Sequence, residues 1–251
     1  MSGKIKTILF SILTILLLSA CASIQTKSNI EAMEVIPVQI STSLTNWIPR
    51  LNACAEPLTD ANLLLNILPP ENLDPHSADL IIRFGPKTPD DNFLTVLAYD
   101  SLVFIVHPDF PLDEISAQSL HALFNGSIKN WSQLEEIQSE NIEYDLSLNL
   151  FSFGENNDLN ILLSKALMKN NLVTKKAIYT PSFENMLQSV AQTPGSLGYL
   201  LKSQLNNHVN ALKITNPNEL SISLEQPILA ITNETPTGCL RQLLLCLQNA
   251  Q

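Results

Sequence analysis

The sequence predicts an α/β fold in which short strands and helices alternate. Three observations lead there. Apolar runs recur and stop at Pro or Gly, as in 62–68 before Pro69-Pro70 and 78–84 before Gly85-Pro86. Between such runs lie segments with helical spacing; Leu44, Trp47, Ile48, Leu51 and Cys54 would share one helix face. The chain has 251 residues, 45% of them hydrophobic, enough for a packed core in one large domain or two modest lobes.

Taken in order, 35–40 reads as a strand, and Ser41-Thr42-Ser43 opens a helix over 44–55. Strands follow at 62–68, 78–84 and 94–106, the last long or broken. A helix over 117–124 is stopped by Asn125-Gly126, where Gly relieves the strain of ending a helix. The alternation of Leu146, Leu148 and Leu150 predicts a strand over 144–152, broken by Gly154. Helices are expected at 159–168 and 183–191, the second ended by Pro194-Gly195. Strands at 197–201, 209–214 and 227–231 precede a final helix over 237–249. The chain has no internal repeat and no low-complexity segment.

The N-terminus reads as a targeting segment. Lys4 and Lys6 form a positive start, and an apolar run of 11 residues follows from Ile8 to Leu18, short for a bilayer span. Leu18-Ser19-Ala20-Cys21 matches a bacterial lipobox, in which cleavage precedes the Cys and its thiol carries lipid such as palmitate. An ordinary signal peptide or an uncleaved anchor is the alternative. On the lipoprotein reading, 1–20 is the signal peptide and Cys21 the lipidation site, with 21–34 a tether to the outer face of a bacterial membrane. Loss of Lys4 and Lys6 takes the formal charge from -10 to -12.

Such an acidic chain argues against nucleic acid as a partner, which needs a basic footprint. An anionic ligand would have to be held by local dipoles and charges against the global field. Cys54, Cys239 and Cys246 remain beyond Cys21. Cys239 and Cys246 sit seven apart on one expected helix, about 10 Å along its axis, too far to bond each other. Cys54 could pair with either; three small buried thiols are the plainer expectation. No Cys/His spacing suggests a metal, and no cofactor motif is present. No nucleophile elbow, P-loop or H-E-x-x-H appears, so a binding module is favoured over an enzyme.

The stretch from Ala98 to Leu134 carries a resemblance. An Asp precedes an apolar strand that runs into His107-Pro108; a Leu- and Phe-bearing helix follows, then Gly126, Ile128 and Trp131. This closely resembles a signature segment of the phosphate-binding-protein-like family of extracytoplasmic solute-binding proteins of ABC transporters. Thr193-Pro194-Gly195-Ser196-Leu197-Gly198-Tyr199 and the closing strand from Gln226 to Thr232 also look like that family. The similarity covers most of 35–250. It implies a two-lobed periplasmic-binding-protein-like fold of type II, with 35–100 and 200–251 as lobe one, 101–199 as lobe two and a ligand cleft between them. It also implies a small anion such as phosphate as ligand, an ABC importer's membrane subunits as partner, and hinge closure as the motion. A degenerate member with altered or lost binding, acting as an envelope sensor or adaptor, is the alternative.

The resemblance also implies site residues. Thr42 and Ser43 lie in the loop that would hold an oxyanion with hydroxyls and helix N–H groups; helix capping is their alternative role. The second loop departs from the family's "S-G-T". It reads Ser152-Phe153-Gly154-Glu155-Asn156-Asn157-Asp158, so Ser152, Asn156 and Asn157 become the ligand candidates. Glu155 and Asp158 would repel a phosphate there by about 4 kcal/mol at about 4 Å and an effective dielectric constant of about 20. Arg83 could supply a cleft cation, although a strand-end pairing with Asp79 or Asp90 is the plainer role. Asp100 is either a ligand or hinge contact or a turn carboxylate. Trp131 reads as core, and His107 as loop structure.

Overall fold

The computed structural model describes residues 33–89 and 93–249. The lipobox with Cys21, the signal segment and Asp90 lie outside the described residues. Strand β1 (Glu34–Ser41) buries Ile36, Val38 and Ile40 completely. The expected helix over 44–55 forms as two pieces, a 3-10 turn (Thr42–Trp47) and helix α1 (Ile48–Ala55). Pro49 explains the break: it has no N–H to give the Thr45 carbonyl, so the regular helix starts only around it.

Strand β2 (Ala61–Leu68) and strand β3 (Leu80–Phe84) both run parallel to β1. The 14-residue β4 (Phe93–Val106) follows, then β5 (Glu114–Ile115), helix α2 (Ala117–Phe124) and helix α3 (Glu135–Ser139). Next come β6 (Asn149–Ser152), α4 (Asp158–Ala166), β7 (Ile178–Tyr179) and α5 (Phe183–Gln192). The chain closes with β8 (Ser196–Leu201), β9 (Asn210–Ile214), β10 (Glu225–Thr232) and α6 (Gly238–Asn249).

The predicted strand over 144–152 is shorter than expected. Only Asn149–Ser152 joins the sheet, because the preceding stretch is turned toward the 129–131 loop. There Trp131 N donates to Leu146 O and Leu148 N to Lys129 O, with a bridge between Asn130 and Ser147.

The sheet order is β2-β1-β3-β10-β4-β8-β6-β7, with β9 also on β4. Strand β4 changes partners midway. Phe93–Ser101 pairs antiparallel with β10, and Leu102–Val106 pairs with β8 and β9. The fold is therefore two groups of strands that share one long strand. Strand β10 returns from the far end of the chain to lie between β3 and β4. The chain returns to the first group between β9 and β10, and the 3-10 turn Lys202–Gln204 after β8 touches it through Gln204, which donates to Ser43 O.

Trp131 is core, as its sequence position suggests. It is fully buried, stacks at 4.3 Å on Phe110 and donates its indole N–H to Gly195 O at 2.8 Å. Gly195 has φ +71, and a Cβ there would lie 2.6 Å from Ser147 O, so the Pro-Gly turn requires glycine. The expectation of three buried thiols is overturned. Cys54 on α1 and Cys246 on α6 form a disulfide, with Cα atoms 5.6 Å apart and 192 residues between them. Periodicity placed Cys54 on an apolar helix face and Cys246 on the last helix; only the tertiary approach of the two helices makes the bond. Cys239 stays reduced and partly exposed.

Candidate functional site

The site is built where β1 ends and α4 begins. Strand β1 carries Ser41 into the sheet's interior, and the following turn brings Ser43 beside it. On the other side, Asn157 caps α4 by accepting from Leu159 N at 2.9 Å. This sets Asp158 as the first helical residue, where the helix dipole favours a carboxylate. Both serine hydroxyls donate to the same atom, Asp158 Oδ2, Ser43 from 2.5 Å. Residues more than a hundred positions apart thus meet at one carboxylate oxygen.

Electrostatics at this contact oppose one another. Burial pushes the Asp158 carboxyl up from 3.8 to about 6. The Ser41 and Ser43 hydroxyls and the Arg83 charge pull it down, and Glu71 adds a smaller upward push. Arg83, on β3, lines a cavity of about 400 Å³ together with Asp158 and Lys165. Its lining is otherwise largely apolar: Ile81 and Phe84 from β3, Ile161 and Leu162 from α4, and Leu73 among others.

The remaining candidates separate into three groups. Ser152 is committed inward: its hydroxyl lies 2.9 Å from Tyr199 Oη and donates to Phe153 O at 3.0 Å. Tyr199 is fully buried, and burial raises its pKa further above the usual value. Asn156 is exposed, and Asn157 is the helix cap. Thr42 is half-buried at the turn. Asp100 lines a different cavity, of about 560 Å³, beside Trp47, Arg50 and Lys202. Its Oδ1 accepts from Ser101 N at 2.7 Å and from Ser203 N at 3.3 Å, which ties β4 to the 3-10 turn Lys202–Gln204. Among the described residues, then, the structure gathers Ser43, Arg83 and Asp158 and leaves Asp100 and Ser152 elsewhere.

Two contributors escaped the sequence reading. Ser41 looked like part of a loop, but its hydroxyl is a direct donor at the site. Gln204 was unremarked; its amide donates to Ser43 O at 2.8 Å, and its carbonyl accepts from Leu201 N at 3.0 Å. It pins the first loop to the 3-10 turn after β8. A Gln at the third position after a strand end can cap the chain through its carbonyl, as it does here to Leu201 N, and that was the available signal.

No group of three His, Cys, Asp or Glu suited to a metal ion is found among the described residues. None of their helices is long and apolar enough to cross a membrane.

A shared strand, two parallel-edged strand groups and converging loops between them define the two-lobed fold of periplasmic-binding-type proteins. The chain belongs to the PBP superfamily domain family, whose profile matches residues 91–235. A curated relative, the phosphate-binding protein PstS of Borreliella burgdorferi, is 25% identical over 154 residues. That match spans 55% of this chain and 54% of the relative, about half the length of each. A putative phosphate ABC transporter substrate-binding protein from Clostridium perfringens, solved with bound phosphate, superposes with a TM-score of 0.68 at 16% identity. The alignment covers 85% of this chain and 93% of that one. A phosphate transport receptor from Vibrio cholerae gives 0.63 at 15% identity, over 86% and 94%. The expected α/β two-lobed class is thereby established.

Proposed function

We propose that this chain is an extracytoplasmic solute-binding lipoprotein that takes a small, phosphate-like oxyanion in its cleft for an ABC importer. One observation carries the reading: the loop hydroxyls of Ser41 and Ser43 already hold a carboxylate oxygen beside Arg83. A site that holds one anionic oxygen has donors of the right kind and direction for another. The named functions of the PstS relative and of the phosphate ABC transporter protein support the same class of ligand and partner. Lobe one would take 35–100 and 200–251 and lobe two 101–199; the change of partners at Ser101 and Leu102 supports the first boundary, whereas β9, paired with the second half of β4, favours a second boundary after residue 214. Ligand contacts would come from Thr42, Ser43 and Arg83, with Asn156 and Asn157 at the rim.

Asp158 competes with the ligand for the serine hydroxyls, so binding displaces it or uses its protonated form as a donor. The full chain in detergent should therefore be titrated with inorganic phosphate near pH 5.5 in a thermal-shift assay. At about 100 times Kd, a bound ligand adds about 2.7 kcal/mol of stability. Absence of any shift at millimolar phosphate would remove phosphate as the ligand. A Ser43→Ala change should weaken an observed shift; an unchanged affinity would take Ser43 out of the site.

The lipobox supports anchoring at Cys21 on the extracytoplasmic face of a bacterial membrane. Expressed in a bacterial host, the chain should partition into detergent and carry a lipid mass that Cys21→Ala abolishes. Recovery of unmodified, soluble wild-type protein would refute the anchor.

A further inference from the structure

The contact between the two serines and Asp158 joins the two groups of strands. Ser41 ends β1 and Ser43 lies in the turn after it, both in the first group. Asp158 opens α4, which follows β6 in the second. Other bonds between the groups lie beside the shared strand. Gln204 Nε2 donates to Ser43 O at 2.8 Å, Asn46 Nδ2 to Ser203 Oγ at 3.0 Å, and Ser203 N to Asp100 Oδ1 at 3.3 Å. All three involve the turn after β8, whose Leu201 pairs with Leu102 of β4 just past the change of partners. Asp158 is reached through β6, one strand further from β4. Its contact therefore spans the cleft away from the hinge, where an opening rotation moves groups farthest.

A hydroxyl has one hydrogen to give. Ser41 and Ser43 both give theirs to Asp158 Oδ2, with their own oxygens 3.1 Å apart. While that contact lasts, neither hydroxyl can donate to a solute. The contact is sealed: Ser41 is fully buried, and Ser43 and Asp158 are 5% and 8% exposed. Further charges act on the same carboxyl. Arg83 on β3 lowers its pKa and Glu71 in the turn after β2 raises it, while Lys165, on the same helix, lines the shared cavity. The carboxyl thus stands where a solute's oxygen would accept, but it belongs to the chain. Parting the two groups of strands would return it and both hydroxyls to water, so the three groups make or lose this contact together.

We propose that Asp158 is a built-in clasp: it holds the two lobes together by occupying the serine donors, and the oxyanion enters by taking those donors from it. This rests on the solute-binding reading above and adds how the cleft is regulated. The clasp draws the lobes together with the chain's own groups, so closure does not depend on a solute. It also sets the apparent affinity below what the donors alone would give, because binding first gives up two hydrogen bonds.

The test measures the distance between the lobes by pulsed electron spin resonance, on the full chain in detergent at pH 5.5. That pH lies below the carboxyl's value of about 6, so most of it is protonated and its burial costs little. Spin labels go on Asn66→Cys in β2 and on Lys175→Cys in the loop before β7, both exposed, with Cys239→Ser to keep the labelling specific. Without phosphate, Asp158→Ala should lengthen and broaden the distance with the circular dichroism spectrum unchanged. Ser41→Ala with Ser43→Ala should do the same, whereas Asp158→Asn, which still accepts from the hydroxyls, should keep the short distance. Inorganic phosphate should restore that distance in Asp158→Ala and bind it about tenfold more tightly than wild type, as two released bonds allow. A distance unchanged by Asp158→Ala, or by the serine pair, would overturn the clasp. So would a phosphate affinity of Asp158→Ala equal to or below that of wild type. The solute-binding reading fails separately, if phosphate binds neither wild type nor Asp158→Ala; the clasp then stands or falls on the distances alone.

Discussion

Replacing Cys54 and Cys246 together by Ala is expected to lower folding stability by about 5 kcal/mol. The bond links residues 192 apart, and in the chain-entropy description closing so long a loop removes about that much freedom from the unfolded state. Measured losses on removing a native disulfide run about 2–5 kcal/mol, so the expectation is at the upper end. Packing adds to it, because Cys54 is buried between α1 and the core. Urea titration of the oxidised protein and the double-Ala variant at one pH provides the measurement, with the shift in midpoint read against the slope. The variant is preferable to reduction because Cys239 could otherwise exchange with the freed thiols. A midpoint unchanged within error would mean that α6 docks on α1 equally well without the bond.

The second large effect concerns Asp158. Its folded pKa of about 6 lies above its ordinary value of 3.8. The folded state therefore binds this proton more tightly than the unfolded state does. Stability from this group is greatest below pH 3.8, falls as the pH rises toward 6, and stays low above that. The move from 3.8 to about 6 corresponds to about 3 kcal/mol. Asp158→Asn should remove the dependence, since the amide carries no charge to bury and still accepts from a serine hydroxyl. At pH 8 the variant should be the more stable protein, by up to about 3 kcal/mol. At pH 3 the two should agree closely, and at pH 4.5 wild type should already trail by about 1 kcal/mol. Comparing them at each pH cancels the other carboxylates. A variant less stable than wild type at pH 8 would show that Ser41, Ser43 and Arg83 outweigh burial.

How far the sequence carried the argument follows from which forces set each part. The strands β1, β3 and β8 and the helices α4 and α5 were legible because burial imposes period and length on them. Trp131 and Gly195 were legible from the family resemblance, and their contact explains why both are there. The site was only half legible. The two loops were expected, and the acidic character of the second was noted. That Asp158 would be gripped by Ser41 and Ser43 depends on how two distant loops meet, which no local pattern encodes. Arg83 shows the same limit. On its strand it read either as a cleft cation or as a strand-end partner of Asp79 or Asp90, and the approach of α4 brings it a carboxylate to act on. The disulfide stood only as one alternative, because no local pattern says which thiol Cys54 will meet.

The insertion of β10 between β3 and β4 has a consequence for the order in which the protein can assemble. A chain emerges N-terminus first, so β3 and the first half of β4 are made more than a hundred residues before the strand that joins them. The other group, from the second half of β4 through β9, is complete by residue 214 and can fold while those earlier strands wait. In that interval Ile81 and Ile82 present an unpaired hydrophobic edge, the kind that captures other chains. The last tenth or so of the sequence thus governs how long the growing chain stays vulnerable, and a chaperone that covers β3 until β10 arrives would act at the narrowest point of the folding route.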